Sequence, residues 1–301
     1  GQHQDIDAFA ANDSIDTVFI LGPNNVHKEH LELALNMPAV QRIYLEKPVC
    51  SSVEEEQEIR QMMESKQKVK VQVGFQFLQA PAIRQALIFW KEGRLGVPLH
   101  FDFKYYHGDY LKKSYREKRA SRLTPAPDGG AMADLGSHAL SLAVAFLGDG
   151  LEVTRAMQAG SFDDVPAGSD LFSQLALYDK NTNAVGNLSA SRVSAGTEDL
   201  LSFELYAKSG ALRYTSLRPD VFEVHLEGSG EWKTQLINSR YTGLSAFPSG
   251  YLPAGWLRSM VHAHYVFLTG SDDQTFVPDL DHGLRVQELI REAATGMEAF
   301  R

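Results

Sequence analysis

Through the first quarter of the chain, short apolar runs alternate with amphipathic stretches, the habit of parallel strands joined by crossover helices. Thr17 to Leu21 (TVFIL) predicts a buried strand. Pro23, Asn24 and Asn25 then turn the chain, and the apolar positions 26, 31, 33, 34 and 35 suit a short helix over Val26 to Leu35. Arg42 to Leu45 predicts the next strand. Ser51 and Ser52, followed three residues later by Glu54 and Glu55, form overlapping capping boxes for a helix reaching about Ser65. Val69, Val71 and Val73 give a third strand ending at Gly74. This β-α-β-α-β run is about half of a doubly wound domain, so residues 1–74 are expected to be the remaining part of a dinucleotide-binding (Rossmann) domain.

From Gly74 the pattern changes. Pro81 suits a first helical turn, Ile83, Leu87 and Ile88 share one face, and Gly93 closes the helix. Strands are predicted over Leu99 to Tyr106, Thr154 to Gly160, Leu171 to Tyr178, Ala184 to Ser191, Leu200 to Ala207, Ala211 to Tyr214 and Val221 to Leu226. Their turn-rich links favour a large, open, antiparallel or mixed sheet. Helices are predicted over His138 to Leu147, Trp256 to Leu268 and Gly283 to Met297. The expected architecture is therefore α/β, a partial parallel sheet followed by an α+β domain over residues 75–301 for substrate binding and oligomerisation.

Composition narrows the function classes. A chain of 301 residues with 44% apolar content can build real cores. Against 29 Lys and Arg stand 38 Asp and Glu, and no basic run offsets the net charge of -9, so nucleic acid is not an expected partner. Cys50 is the single cysteine, which excludes an internal disulfide and a thiolate zinc site and fits a reducing, cytoplasmic setting. Cys50 itself suits packing, since nothing nearby resembles a nucleophile's partner. Apolar stretches such as Ala139 to Leu147 are too short for a bilayer, so no membrane partner is expected. His262 and His264 lie two apart on a predicted helix and face different ways, so no metal is expected.

Three local patterns carry chemistry. The first is Gly22-Pro23-Asn24-Asn25-Val26-His27, directly after a buried parallel strand, where loops line the ligand crevice of open α/β sheets. The same residues also suit a plain turn whose asparagine caps the next helix. The second is Glu46-Lys47-Pro48 at the end of the following strand. A desolvated ammonium there can bond a substrate hydroxyl and take part in proton transfer, although lysines after strands are commonly solvated. The third is Gly129-Gly130-Ala131-Met132-Ala133-Asp134-Leu135-Gly136-Ser137-His138, before an apolar helix. Glycines admit close backbone approach, and a helical path would put Asp134 and His138 on one face. An imidazole, with an ordinary pKa of about 6.5, accepts a hydroxyl proton near neutral pH. The alternative is a helix start with Asp134 at the positive end of the dipole and His138 packed inside. Tyr105, Tyr106, His107 and Tyr110 are weaker candidates for the edge of a sugar pocket, and Arg192 for a polar substrate contact, since an aromatic strand end is more often core or rim.

The order P-N-x-x-H, then E-K-P about twenty residues on, then G-G-x-x-x-D-x-G-x-H, resembles the glucose-fructose oxidoreductase and inositol dehydrogenase (Gfo/Idh/MocA) family over essentially the whole chain. The resemblance implies a domain that binds NAD or NADP and a second domain, a large open sheet, that supplies a substrate pocket and often packs against another subunit. Carried over, it implies that Gly22, Pro23, Asn24, Asn25, His27, Glu46, Lys47 and Gln76 line the cofactor, while Lys47, Asp134 and His138 meet the hydroxyl that is oxidised. There are departures. The family's opening G-x-G-x-x-G has no match here, and Gly1 to Asn12 resembles the helix before the family's fourth strand, so a further strand, helix and strand of roughly 60 residues are expected to precede Gly1. Gly22 stands for a frequent threonine, Ala131 for a third glycine and Ser141 for a common aspartate; Gln76 keeps an amide where no arginine follows.

The leading expectation is an NAD(P)-dependent dehydrogenase that moves a hydride between the nicotinamide and a secondary alcohol of a sugar, cyclitol or related polyol. The alternatives are a non-catalytic binding or regulatory relative, against which the retained Lys47, Asp134 and His138 speak, and a fragment with an incomplete crevice. Leu171 to Leu177, apolar on both alternating positions, adds the expectation of a homo-oligomer through the open sheet.

Overall fold

A computed structural model describes residues 9–123, 129–160, 162–166, 168–237, 255–270 and 276–300. Of the expected helix over residues 1–12, Phe9 and Ala10 are helical and the first eight residues lie outside the described ones. The chain divides into two compact units, Gly1–Phe75 with Ala263–Gln287, and Gln76–His262 with Glu288–Arg301.

In the first unit β1 (Thr17–Ile20), β2 (Arg42–Leu45) and β3 (Lys70–Val73) form a three-stranded parallel sheet in that order. Val18, Ile20, Ile43, Leu45, Val71 and Val73 are buried, as parallel strands covered on both faces require. A single 3₁₀ turn (Asn24–Val26) leads into α1 (His27–Asn36), and α2 (Val53–Glu64) joins β2 to β3. The second of the two overlapping capping boxes is realised, with its return bond shifted by one residue. Ser52 is the N-cap and accepts from the Glu55 amide at 3.2 Å, while the Glu55 carboxylate accepts from the amide and hydroxyl of Ser51 at 2.8 and 2.7 Å.

The second unit begins with α3 (Pro81–Lys91), β4 (Pro98–Tyr106), the short α4 (Lys113–Lys118) and α5 (Ser137–Leu147). There follow β5 (Leu151–Ala159), β6 (Phe172–Asp179), β7 (Ala184–Ser191), β8 (Leu200–Ala207), β9 (Gly210–Thr215), β10 (Val221–Leu226) and β11 (Trp232–Leu236). Together with β12 (Met297–Phe300) they make a nine-stranded sheet in the order β11-β10-β9-β8-β4-β7-β6-β5-β12. It is mixed: β4 pairs parallel with β7 and β5 with β12, and the other neighbours are antiparallel.

Period-two alternation gives this sheet two unlike faces. Phe101, Phe103, Leu175, Leu177, Leu188, Phe203 and Leu205 point to the buried side. There α5 meets them, with Phe146 4.9 Å from Phe203 between ring centroids, and Trp90 of α3 donates to the Phe146 carbonyl at 2.8 Å. Residues 137 to 146 of α5 are all buried, which explains why this helix is apolar all round. On the opposite face the register sets Asp102, Glu204, Arg213 and Glu223 side by side across four strands.

The chain closes with α6 (Trp256–Thr269) and α7 (Leu280–Thr295). Residues 263–287 add to the first unit: Phe267 packs edge-on against Phe19 and Tyr44, at 5.1 and 5.4 Å, and the Val73 amide donates to the Pro278 carbonyl at 2.8 Å. Three features differ from the sequence expectation. The edge strand β11 is a polar segment without a marked apolar alternation, the expected helix to Met297 stops at Thr295 so that Met297 opens β12, and residues 109–123 form short helical turns. No helix among the described residues is long and apolar enough to cross a membrane.

The buried seam between α5 and the sheet sets an expectation for stability. Phe203→Ala removes a ring that is 1% exposed and should cost about 3 to 5 kcal/mol, whereas Leu217→Ala, at a side chain 64% exposed, should change little. Urea denaturation followed by tryptophan fluorescence checks this; equal midpoints for the two variants would place the core elsewhere.

Candidate active site

In the first unit the parallel ladder runs past the strand ends. The Glu46 amide donates to the Ile20 carbonyl at 2.9 Å and the Gly74 amide to that of Leu45 at 2.8 Å, so both residues lie at the carboxyl edge of the sheet. A Cβ on Gly74 would come within 3.0 Å of Glu46 Oε2, so glycine lets the carboxyl group lie against the backbone. Burial pushes the Glu46 carboxyl above its ordinary range, opposed by the charge and backbone N–H of Lys47 and by the charge of His27. Its Oε2 accepts from the Lys47 amide at 3.2 Å, and the Lys47–Pro48 peptide is cis.

His27, 1% exposed, faces two backbone oxygens, with Nδ1 2.7 Å from the Pro48 carbonyl and Nε2 2.9 Å from that of Gly22. It clips the turn after β1 to the loop after β2. Its ring nitrogens thus support the lining of this edge. Asn24 is half-buried, and Pro23 and Asn25 are exposed. Asn24, Asn25 and Glu46 thus bring amides and a carboxyl group to the carboxyl ends of parallel strands, where open α/β sheets take ligands.

In the second unit the Gly-Gly motif leads into a π-helical turn (Met132–Gly136) continuous with α5. Such widened turns recur at functional sites. Gly130 has φ +83°, and a Cβ there would lie 2.6 Å from that of Asp170. The close approach lets buried Asp170 take the first N–H groups of the turn: its carbonyl accepts from the Ala131 amide at 2.8 Å and Oδ2 from that of Met132 at 2.7 Å. Burial pushes the Asp170 carboxyl up, against the hydrogen bond from the Met132 amide and the charge of Arg192.

Asp134 lies in the middle of the turn. Its Oδ2 meets Arg192 Nη2 at 2.8 Å and Arg122 Nη1 at 3.4 Å. Arg192 is fully buried, with its guanidinium 4.6 Å over the Tyr110 ring and Nη1 donating to the Arg122 carbonyl. One turn on, His138 is 8% exposed and packs edge-to-face with the rings of Phe77 and Tyr105, at centroid distances of 5.1 and 6.0 Å. The expected pair is therefore carried on one continuous helical stretch.

The remaining candidates divide. Tyr110 braces Arg192, and its segment is held by Arg116, which donates to the Tyr110 carbonyl at 2.7 Å and pairs with Asp164 at 2.8 Å. Tyr106 bonds Ser189, and burial lowers the pKa of His107. Gln76 opens a 3₁₀ turn (Gln76–Gln79) at the start of the second unit. Cys50 is buried, with Sγ 3.2 Å from Gln287 Nε2. His262 pairs with Arg84 at 2.7 Å, while His264 packs on Tyr44, and no group of three potential metal ligands occurs among the described residues. Sequence reasoning missed Asp170, an isolated acid ahead of a strand with no motif around it, and it offered Arg192 only as a weak candidate for a substrate contact, with nothing along the chain to signal its partner Asp134, 58 positions away.

Comparison with known proteins decides the family. Residues 2–75 match an oxidoreductase family with an NAD-binding Rossmann fold, and residues 83–213 match the GFO/IDH/MocA C-terminal domain. The chain belongs to the GFO/IDH/MocA family of oxidoreductases. This GFO/IDH/MocA chain is 25% identical to a levoglucosan dehydrogenase of Pseudarthrobacter phenanthrenivorans over 93% of its own length and 77% of the relative's. Its fold matches an NAD-binding oxidoreductase of Klebsiella pneumoniae at a TM-score of 0.80 and 22% identity, covering 97% of this chain and 81% of that one. It also matches an inositol dehydrogenase homologue of Azotobacter vinelandii, solved with NAD+, at 0.78 and 20%, covering 97% and 79%.

Asp170 gives a test with a sign in pH. A carboxyl group raised in the folded state stabilises fully below its unfolded pKa of about 3.9, and that contribution is lost as the pH climbs through the folded value. Asp170→Asn, which keeps an acceptor for the Met132 amide, should therefore gain on the wild type in urea midpoint as the pH rises from acid to neutral. Asp170→Ala should instead lose about 1 to 3 kcal/mol at neutral pH, through the unsatisfied amide.

Proposed function

We propose that the chain is a nicotinamide-dependent dehydrogenase that oxidises a secondary alcohol of a sugar, cyclitol or related polyol, or reduces the corresponding ketone. The observation that carries this reading is the placement of a fixed carboxylate, Asp134, and a nearly buried imidazole, His138, four residues apart on a single helical stretch. Relatives named for levoglucosan and inositol give the substrate class its direction. Bound nicotinamide supplies the hydride acceptor. The protein's own work is to orient the alcohol carbon and move the hydroxyl proton.

In this reading Gly22, Pro23, Asn24, Asn25, Glu46 and Gln76 line the cofactor, and His27 holds that lining in shape. Lys47 donates to the reacting hydroxyl and lowers the cost of its deprotonation, His138 accepts the proton, and Asp134 accepts a hydrogen bond from substrate. The Phe77 and Tyr105 rings keep water from the imidazole. The uncovered sheet face is the proposed contact with a second copy. It holds a cleft of about 410 Å³ lined by His100, Thr154, Tyr178 and Val185, and Val185 is 55% exposed.

Two measurements test these proposals. With levoglucosan or myo-inositol and NAD+ or NADP+, followed by absorbance of the reduced nicotinamide, Lys47→Met should lower kcat on the order of 100-fold to 10,000-fold while reduced-cofactor binding stays within a few fold. Near-normal turnover in the variant would move the active site elsewhere. Light scattering at micromolar concentration should report an oligomer; a monomer alone would reject the sheet-face contact.

A further inference from the structure

Arg192 is the most deeply buried cation whose partners can be traced atom by atom in the second unit. It follows β7 directly, and its backbone is fixed on both sides: its amide donates to the Leu171 carbonyl at 2.9 Å, and its carbonyl accepts from the Tyr110 amide at 3.1 Å. The guanidinium lies over Tyr110, gives Nη1 to the Arg122 carbonyl and gives Nη2 to Asp134. A side chain with one end tied to the sheet and the other to a single carboxylate oxygen has little freedom left. The Asp134 side chain is 26% exposed against 1% for Arg192, so the carboxylate is the member of the pair that reaches solvent.

We propose that Arg192 is a positioning residue for Asp134. It fixes the orientation of the carboxylate and compensates its charge, so that Asp134 acts toward the reacting hydroxyl as a stationary acceptor and proton transfer is left to His138 and Lys47. This rests on the dehydrogenase reading above. Three observations favour it over a direct substrate role for Arg192. The side chain is inaccessible, Nη1 and Nη2 each donate within the protein, to a main-chain carbonyl and to a carboxylate, and the ring of Tyr110 covers its face. A lysine could carry the charge but not the fork, so the site distinguishes orientation from charge.

The test has one arm without turnover and one with it. In thermal denaturation, Arg192→Met and Asp134→Asn should each lower the Tm by several degrees, and the double variant should be no worse than the poorer single one, because each single change strands a charge that the double removes. Additive losses would overturn the pairing. On whichever of levoglucosan or myo-inositol the wild type oxidises, Arg192→Met should lose on the order of 100-fold in kcat with KM within a few fold, and the acid limb of its kcat/KM profile should move toward neutral pH. Arg192→Lys should keep the wild-type acid limb while losing part of kcat, and it carries the same test should Arg192→Met not fold. An unchanged kcat and pH profile in Arg192→Met would make the pair purely structural and overturn the proposal. A wild type that turns over neither polyol with either cofactor, while the thermal coupling persists, would reject the dehydrogenase reading and with it the role of Arg192 toward substrate.

Discussion

The pairing of Arg192 with Asp134 ties the turn ahead of α5 to the end of β7. A guanidinium with no access to water has to find its counter-charge inside the fold, since an uncompensated buried cation costs several kcal/mol. Here the counter-charge comes from a helical turn, and that turn is tied a second time, through its first amides, to Asp170. Asp170 precedes β6 and Arg192 follows β7, and the two strand ends are joined by the bond from the Arg192 amide to the Leu171 carbonyl. The turn is therefore mounted at two points on neighbouring strand ends. Replacing a buried ion pair with apolar groups commonly costs nothing or even stabilises, so the pair is better understood as fixing position than as adding stability.

That mount explains features that look unrelated along the chain. Gly130 is needed because Asp170 occupies the space of a side chain, and the π-helical widening sets Asp134 opposite the end of β7 while α5 continues into the core. Arg116 and Asp164 then matter at one remove, because they hold the segment that supplies the Tyr110 ring and the Arg122 carbonyl to Arg192. In the first unit the equivalent economy is made with His27. One buried ring there joins the turn after β1 to the loop after β2.

Much of the fold was legible because it is written in local periodicity. β2, β7, β8 and β10 have the bounds expected from their apolar patterns, and Ser52 caps its helix through the Glu55 amide as one of the two overlapping boxes requires. What could not be read is non-local or weakly patterned. β11 is a half-exposed edge strand with too little apolar alternation to announce itself, and β12 follows a helix without a turn signal beyond Gly296. The packing of residues 263–287 with the first unit has no local signature at all, because it depends on where a distant part of the chain returns. The motifs containing Lys47, Asp134 and His138 stood out as patterns, whereas Asp170 and Arg192, which hold Asp134 and its turn, did not.

The difference follows from what each kind of residue must satisfy. A group that meets substrate is constrained by chemistry and by the loop that presents it, so glycine, proline and the chemical group recur together at short spacing. A group that holds another group in place is constrained only by a distance in space, and Arg192 meets Asp134 across 58 positions of sequence. Nothing near Arg192 along the chain needs to mark it, since the carbonyl of Arg122 and the ring of Tyr110 arrive from a different segment. Burial is the signal that remains. In the proposed reading, a cation without water, packed against an aromatic face and bonded to a carboxylate that does reach solvent, is the member of the pair that holds, and the carboxylate is the one that meets the ligand.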